Sequence, residues 1–203
     1  TGSSPLHDTN VNNIPKIINI SSQSVYPQYL NVSKTEEYPV IYNNTYAFQK
    51  VIIENLFDSI KEFSPLSKVV SLRLPRVIIP SISGQSGFFG NMIDDYVEGK
   101  TITIDYPENN TNLIHGDDVL SAICFVINKM DNQILPSTLN LSGKDISLRE
   151  YVNLIKENIN GSGTFILQES KEIKSSSLVN GDLIKDLGWT HKYSIIDIIK
   201  QLK

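Results

Sequence analysis

Along this chain the apolar residues fall into short continuous runs and one long helical repeat. Lys16-Ile17-Ile18-Asn19-Ile20 is an apolar run that ends in Ser21-Ser22-Gln23-Ser24, the pattern of a buried strand whose far end opens into a polar loop. A polar stretch with Pro27 and Pro39 follows. From Thr45 to Phe63 apolar residues then recur at Phe48, Val51, Ile52, Leu56, Ile60 and Phe63, a spacing that predicts an amphipathic helix. Val69 to Leu74 reads as a second buried strand, which closes a strand, helix, strand unit of the parallel, right-handed kind. The fold class is therefore α/β.

Beyond Pro75 the pattern loosens into a Gly- and Ser-rich loop from Ser81 to Gly90, a short helical segment to Gly99, a strand from Thr101 to Asp105 and a turn rich in Asn. This stretch reads as an insertion beside the sheet. Asp117-Asp118 opens a helix that ends near Lys129, with acidic residues where the helix dipole favours them. Leu139 to Gly143 predicts a strand, Leu148 to Asn158 a helix, Thr164 to Leu167 a strand and Ile195 to Leu202 a closing helix, a mixed α+β arrangement.

Composition narrows the function. The chain has 203 residues, 40% of them hydrophobic, and a formal net charge of −4, which argues against a general affinity for nucleic acid or anionic lipid. No apolar run is long enough to span a bilayer, and the polar start lacks the pattern of a signal peptide, so the sequence reads as a soluble, cytoplasmic protein. The single Cys124 excludes an internal disulfide, and the scattered His7, His115 and His191 speak against a metal site.

The strongest chemical signal is Tyr46-Ala47-Phe48-Gln49-Lys50. Residues four apart share a helix face, so an ammonium lies beside a phenol. A nearby cation stabilises phenolate, and such a tyrosine serves as general acid or base on a hydroxyl or carbonyl. A second pair of the same spacing, Tyr96 and Lys100, contains Gly99 and follows no strand with a polar end, so it is read as a decoy.

The run Ile-Ile-Asn-Ile-Ser-Ser-Gln-Ser-Val-Tyr-Pro (17–27), followed by Asn-Thr-Tyr-Ala-Phe-Gln-Lys (44–50), resembles the extended short-chain dehydrogenase/reductases of the nucleotide-sugar epimerase/dehydratase group. Three later blocks agree in order: Ser71 to Val77, Asn112 to Val119, and Leu187-Gly188-Trp189 with Ser194 to Ile199 behind it. The chain departs from the family pattern at Pro27, Ile79 and Thr111-Asn112.

The resemblance implies an NAD- or NADP-dependent enzyme acting on a nucleotide-sugar-like small molecule. Tyr46 would be the acid/base, Lys50 would hold the nicotinamide ribose, and Ser22, four residues before Tyr26, would hydrogen-bond the reacting oxygen. Pro75 and Val77 would line the cofactor, while Arg76 and His115 would join Ser22 at the substrate. His115 reads equally well as a structural hydrogen-bonder at a strand end, and Arg76 as a surface charge. Cys124 reads as packing beside Leu120, Ile123 and Ile127, and Trp189 as a core residue. A homodimer through the Tyr46–Phe63 helix is a further implication.

Gly84-Gln85-Ser86-Gly87-Phe88-Phe89-Gly90 has the spacing of a dinucleotide-binding turn but follows the tyrosine instead of preceding it, so it is a second decoy that reads as a substrate loop or, alternatively, as a permuted cofactor loop. Thr1-Gly2-Ser3-Ser4 looks like a fragment of such a turn, and Asp8 to Val11 like part of a preceding helix. About 90 residues of a first nucleotide-binding half are then expected in the parent protein. The expected architecture is a partial Rossmann-like parallel sheet (1–80 and 117–143) with a small α+β substrate-binding cap (81–116 and 144–203). The alternative is a cofactor-free remnant that acts as a binding or partner subunit.

Overall fold

The computed structural model of the chain describes residues 15–41, 44–64, 67–79, 87–170 and 172–202. Strand β1 (Lys16–Ser22) runs into a 3-10 turn (Gln23–Val25), and after a long connection α1 (Thr45–Phe63) leads back to β2 (Lys68–Leu74). β1 and β2 are parallel, in a register that sets Ser22 beside Leu74, and β6 (Thr138–Asn140) joins the other side of β2, also parallel. Burial of β2 on both faces explains its near-continuous apolar run. The polar pair Asn19 and Ser71 inside β1 and β2 is satisfied internally, with Asn19 Nδ2 donating to Ser71 Oγ at 3.0 Å.

A second sheet carries β3 (Arg76–Ile78), β5 (Asn110–His115) and β7 (Lys144–Ser147), with β9 (Ser176–Ser177) also on β5. β3 and β9 run parallel to β5, and β7 runs antiparallel. β4 (Thr101–Ile104) and β8 (Thr164–Leu167) form a separate parallel pair. The helices are α2 (Gly87–Val97), α3 (Gly116–Asn132), α4 (Leu148–Asn158), α5 (Asp182–Asp186) and α6 (Ile195–Gln201). Gly143, between β6 and β7, allows a close approach: a Cβ there would fall 2.0 Å from the Leu113 carbonyl oxygen.

Three apolar clusters form the core. One gathers Phe89, Met92, Tyr151, Ile155, Phe165 and Ile198 from α2, α4, β8 and α6. Another packs α3 (Val119, Ala122, Val126) on Leu72 of β2 and Leu139 of β6, with Trp189. The smallest, Val25, Tyr26, Val51 and Val179, lies under the turn that follows Ser22.

Several expectations need correction. The Asn-rich turn expected after Asp105 is short, and the strand that ends at His115, β5, already begins at Asn110, with Thr111 and Asn112 buried. Asn112 makes this possible by donating to Ser142 Oγ (3.1 Å) and Asp145 Oδ1 (2.6 Å) and accepting from Gly143 N, so its polarity is satisfied inside. The strand expected over 139–143 is shorter and begins one residue earlier, because Gly143 turns the chain towards β7. Cys124 is exposed and does not pack in the core; Leu120 is 61% exposed, and the buried line of α3 is Val119, Ala122, Val126 and Met130. Trp189 is buried as expected and donates from Nε1 to Ser121 Oγ.

Candidate active site

Asn44 builds the start of the helix that carries the phenol. Its side chain accepts from Ala47 N, which caps α1 and sets Tyr46 in the first turn, the helix end where negative charge is favoured. Ala47 and Val51 turn inward while Tyr46 stays 52% exposed, with no hydrogen bond to its hydroxyl among the described residues. One turn on, Lys50 Nζ donates to the Ile20 carbonyl at 2.7 Å and stands 5.5 Å from the centre of the Tyr46 ring. A lysine ammonium has three donors, so this anchor leaves two for other acceptors.

Ser22 closes β1 and caps the 3-10 turn: its Oγ accepts from Ser24 N (3.2 Å) and Ser24 Oγ (2.8 Å) and remains partly accessible. Ser21 is buried and donates to Glu54 Oε1 at 2.5 Å. Gln23, next to Ser22, keeps Oε1 buried without a hydrogen-bond partner among the described residues. Because Ser22 pairs with Leu74, the ends of β1 and β2 lie side by side, and the chain continues from β2 through buried Pro75 to Arg76 and half-buried Val77. Val77 in turn pairs with Ile114, and Ile78 with His115. All seven expected positions thus sit at or just past the carboxyl ends of parallel strands, or on the helix packed against them, where open α/β sheets bind ligands.

They do not all serve one surface. A cleft of about 570 Å³ is lined by Leu74, Val77, Ile79, His115, Asp117 and Gln201, among others. His115 is buried in its wall: Nδ1 accepts from Asp117 N at 3.0 Å and so caps α3, Nε2 lies 3.0 Å from Gln201 Oε1, and the ring stacks on Tyr193 at 3.9 Å between centroids. Arg76 points elsewhere, its guanidinium 5.2 Å from the Phe89 ring centre, and it has no ion pair or hydrogen bond among the described residues. The Tyr96–Lys100 decoy is spoiled as the glycine foretold. The helix ends at Val97, Gly99 takes a φ of +80°, Lys100 pairs with Asp95 and Glu98, and Tyr96 stacks on Phe165. In the Gly84–Gly90 run, Gly87 opens α2 and Gly90 lies buried within it. Gly84 lies outside the described residues, as do the expected N-terminal fragments at 1–4 and 8–11.

The sequence reading did not single out the ionic cluster beneath the site. Arg73 donates to Glu54 through Nε (2.9 Å to Oε1) and Nη2 (2.7 Å to Oε2), with both side chains about 7% exposed. Arg73 Nη1 also donates to the Tyr26 hydroxyl (2.7 Å), which in turn donates to Asn140 Oδ1 (2.8 Å). Burial alone would pull the Arg73 pKa down, but the Glu54 and Tyr26 contacts outweigh it and hold the guanidinium above its ordinary value. Burial pushes the Tyr26 phenol up, against the opposing pull of Arg73. A signal was present: an arginine inside an apolar strand and a glutamate on the inner face of a helix both need a buried partner.

Comparison with known proteins adds to this geometry. A sequence model described as the NAD dependent epimerase/dehydratase family matches residues 6–142. A GDP-L-colitose synthase of Yersinia pseudotuberculosis is 22% identical over 213 residues, covering 91% of this chain and 64% of that protein. Among solved structures, a UDP-glucose 4-epimerase of Thermotoga maritima with UDP-glucose aligns with a TM-score of 0.77 at 19% identity, over 92% of this chain and 62% of that one. A GDP-mannoheptose C4 reductase of Campylobacter jejuni with NADP bound aligns with a TM-score of 0.75 at 18% identity, over 97% of this chain and 69% of that one. These structures share the fold. The chain spans less than two thirds of the length of the colitose synthase and of the epimerase.

Proposed function

The chain belongs to the NAD dependent epimerase/dehydratase family, and on that premise we propose that the whole protein is a nicotinamide-dependent oxidoreductase that epimerises, dehydrates or reduces a nucleotide sugar. The observation that carries this reading is the placement of Tyr46, Lys50 and Ser22 at one sheet end: an exposed phenol, an ammonium one turn away with two free donors, and a partly accessible hydroxyl at the end of the neighbouring strand. Two residue groups fit a nicotinamide nucleotide. Lys50 would bind its ribose, and Pro75 and Val77 would pack on the ring from the apolar end of β2, beside the cleft that Val77 lines with Leu74. Bound there, NAD or NADP would accept or return hydride at a sugar carbon.

This chain's own residues hold and move protons. Tyr46 takes the proton of the sugar hydroxyl as the carbon is oxidised and returns it in the reverse direction, a general acid/base task. Ser22 hydrogen-bonds the same oxygen. Lys50 stands beside the Tyr46 ring while anchored on Ile20. Arg76, without a carboxylate partner among the described residues, supplies a guanidinium for an anionic part of the substrate such as a phosphate. His115 contributes shape through its capped, stacked ring and takes no part in proton transfer. Residues 1–80 and 117–143 belong to the cofactor domain in this reading, and 81–116 and 144–203 to the substrate cap.

The test is direct. The full-length protein, supplied with NAD or NADPH, is incubated with a panel of GDP- and UDP-sugars, and products are resolved by chromatography and mass. Conversion of at least one sugar nucleotide is expected. Conversion of none, with cofactor shown to bind, would contradict the proposed reaction and favour a binding subunit.

A further inference from the structure

We propose that the buried Glu54–Arg73 pair is a positioning device for the reaction centre, one carboxylate holding three chain elements in a single register so that Tyr46, Lys50 and Ser22 meet the substrate together. The inference rests on the site reading given above and extends it to residues that touch no substrate.

Glu54 stands four residues beyond Lys50 and eight beyond Tyr46, on the same side of α1. Its carboxylate reaches out of the helix in two directions. Oε1 accepts from Ser21 Oγ, the residue before Ser22 at the end of β1. Both oxygens accept from Arg73 on β2, which pairs with Ser21 across the sheet and precedes Pro75 and Val77 by two and four residues. The remaining Arg73 nitrogen extends the hold to the Tyr26 hydroxyl and the Glu36 carbonyl, and Tyr26 reaches β6 through Asn140. One carboxylate therefore touches every element that carries a proposed reacting group.

Why an ion pair should occupy this place follows from directionality. Apolar side chains of similar volume pack as well and often stabilise as much, but they tolerate sliding. A guanidinium fork closes on a carboxylate only when both hydrogen bonds are made at once, so α1 cannot shift along β2 without breaking it. The site above depends on such alignment, because Tyr46 and Lys50 sit on the helix while Ser22 sits on the strand.

The experiment compares the full-length wild type with Ser21→Ala and with the double variant Glu54→Leu/Arg73→Met. The double variant removes both charges, so it should melt close to wild type. Amide exchange in segments 19–26 and 44–51 should nonetheless accelerate about tenfold, with 119–130 unchanged. On the sugar nucleotide that wild type converts, kcat should fall about tenfold to a hundredfold with KM nearly constant. Ser21→Ala should show the same pattern more weakly, and it carries the test if the double variant does not fold. Exchange at wild-type rates in those two segments, or a double variant with wild-type kcat, would overturn the proposal. A wild type that converts no sugar nucleotide would sink the functional reading alone, and the exchange comparison would still decide this one.

Discussion

Two adjacent serines at the end of β1 have different partners, and this divides their roles. Ser21 Oγ is buried against Glu54, whereas Ser22 Oγ accepts from Ser24 and keeps an accessible side for a ligand oxygen. Lys50 is likewise half engaged, with one donor on Ile20. Replacing Lys50 by Met should weaken NAD(P)H binding about tenfold or more, since a hydrogen bond from a charged group is lost, and turnover should fall with it. Cofactor titration by fluorescence checks this, and unchanged binding would leave Lys50 as a mere anchor for Ile20. Arg73→Met alone strands the Glu54 carboxylate in the interior. Denaturant unfolding should then show a loss of about 3–5 kcal/mol.

The long elements announce themselves in the sequence and the short ones do not. α1, α4 and β8 have the bounds that their apolar spacing predicts, and α4 carries a capping box in which Ser147 and Glu150 bond each other's backbone. β3, β7 and β9, of three, four and two residues, carry too little pattern to be read, and β7 includes Lys144 and Asp145. The polar start of β5 was hidden for a different reason: Asn112 and Thr111 are internal because Asn112 donates to Ser142 Oγ and Thr111 accepts from Ser177 Oγ, partners far away in sequence. In the site, Tyr46, Lys50 and Ser22 were legible as a motif. Glu54 and Arg73 were not, because an ion pair joins residues 19 apart that no local period connects.

The long loop between the 3-10 turn and α1 carries its own pH dependence. Burial raises the Glu36 pKa above its ordinary 4.5, although the Asn140 N–H that Glu36 accepts pulls the other way. A carboxyl whose folded pKa is raised binds its proton more tightly when folded. Its contribution to stability is present below the unfolded value and fades as pH rises through the folded one. Melting temperatures measured from pH 7 down to 4 should therefore favour wild type over Glu36→Gln progressively towards the acid end. A difference independent of pH would remove Glu36 from this role.

At the scale of the whole molecule, two helices present apolar residues outward. On α1 these are Phe48, Ile52 and Leu56, each 47–58% exposed, and on α3 they are Leu120 and Ile127. Among the described strands β1 pairs only with β2, so the sheet is open on that side. The proposed occupant of the α1 face is a second copy of the protein. Ile52→Glu in the full-length protein should shift its mass in light scattering from dimer to monomer, and a monomeric wild type would contradict the homodimer. The three scales converge on one claim, that a phenol at the start of α1 moves the proton of a sugar hydroxyl. The most direct measurement is steady-state turnover of the converted sugar nucleotide by Tyr46→Phe, with cofactor affinity measured on the same sample. The expected result is a fall of about 10²–10⁴ in kcat with cofactor binding retained. Turnover equal to wild type would contradict the account.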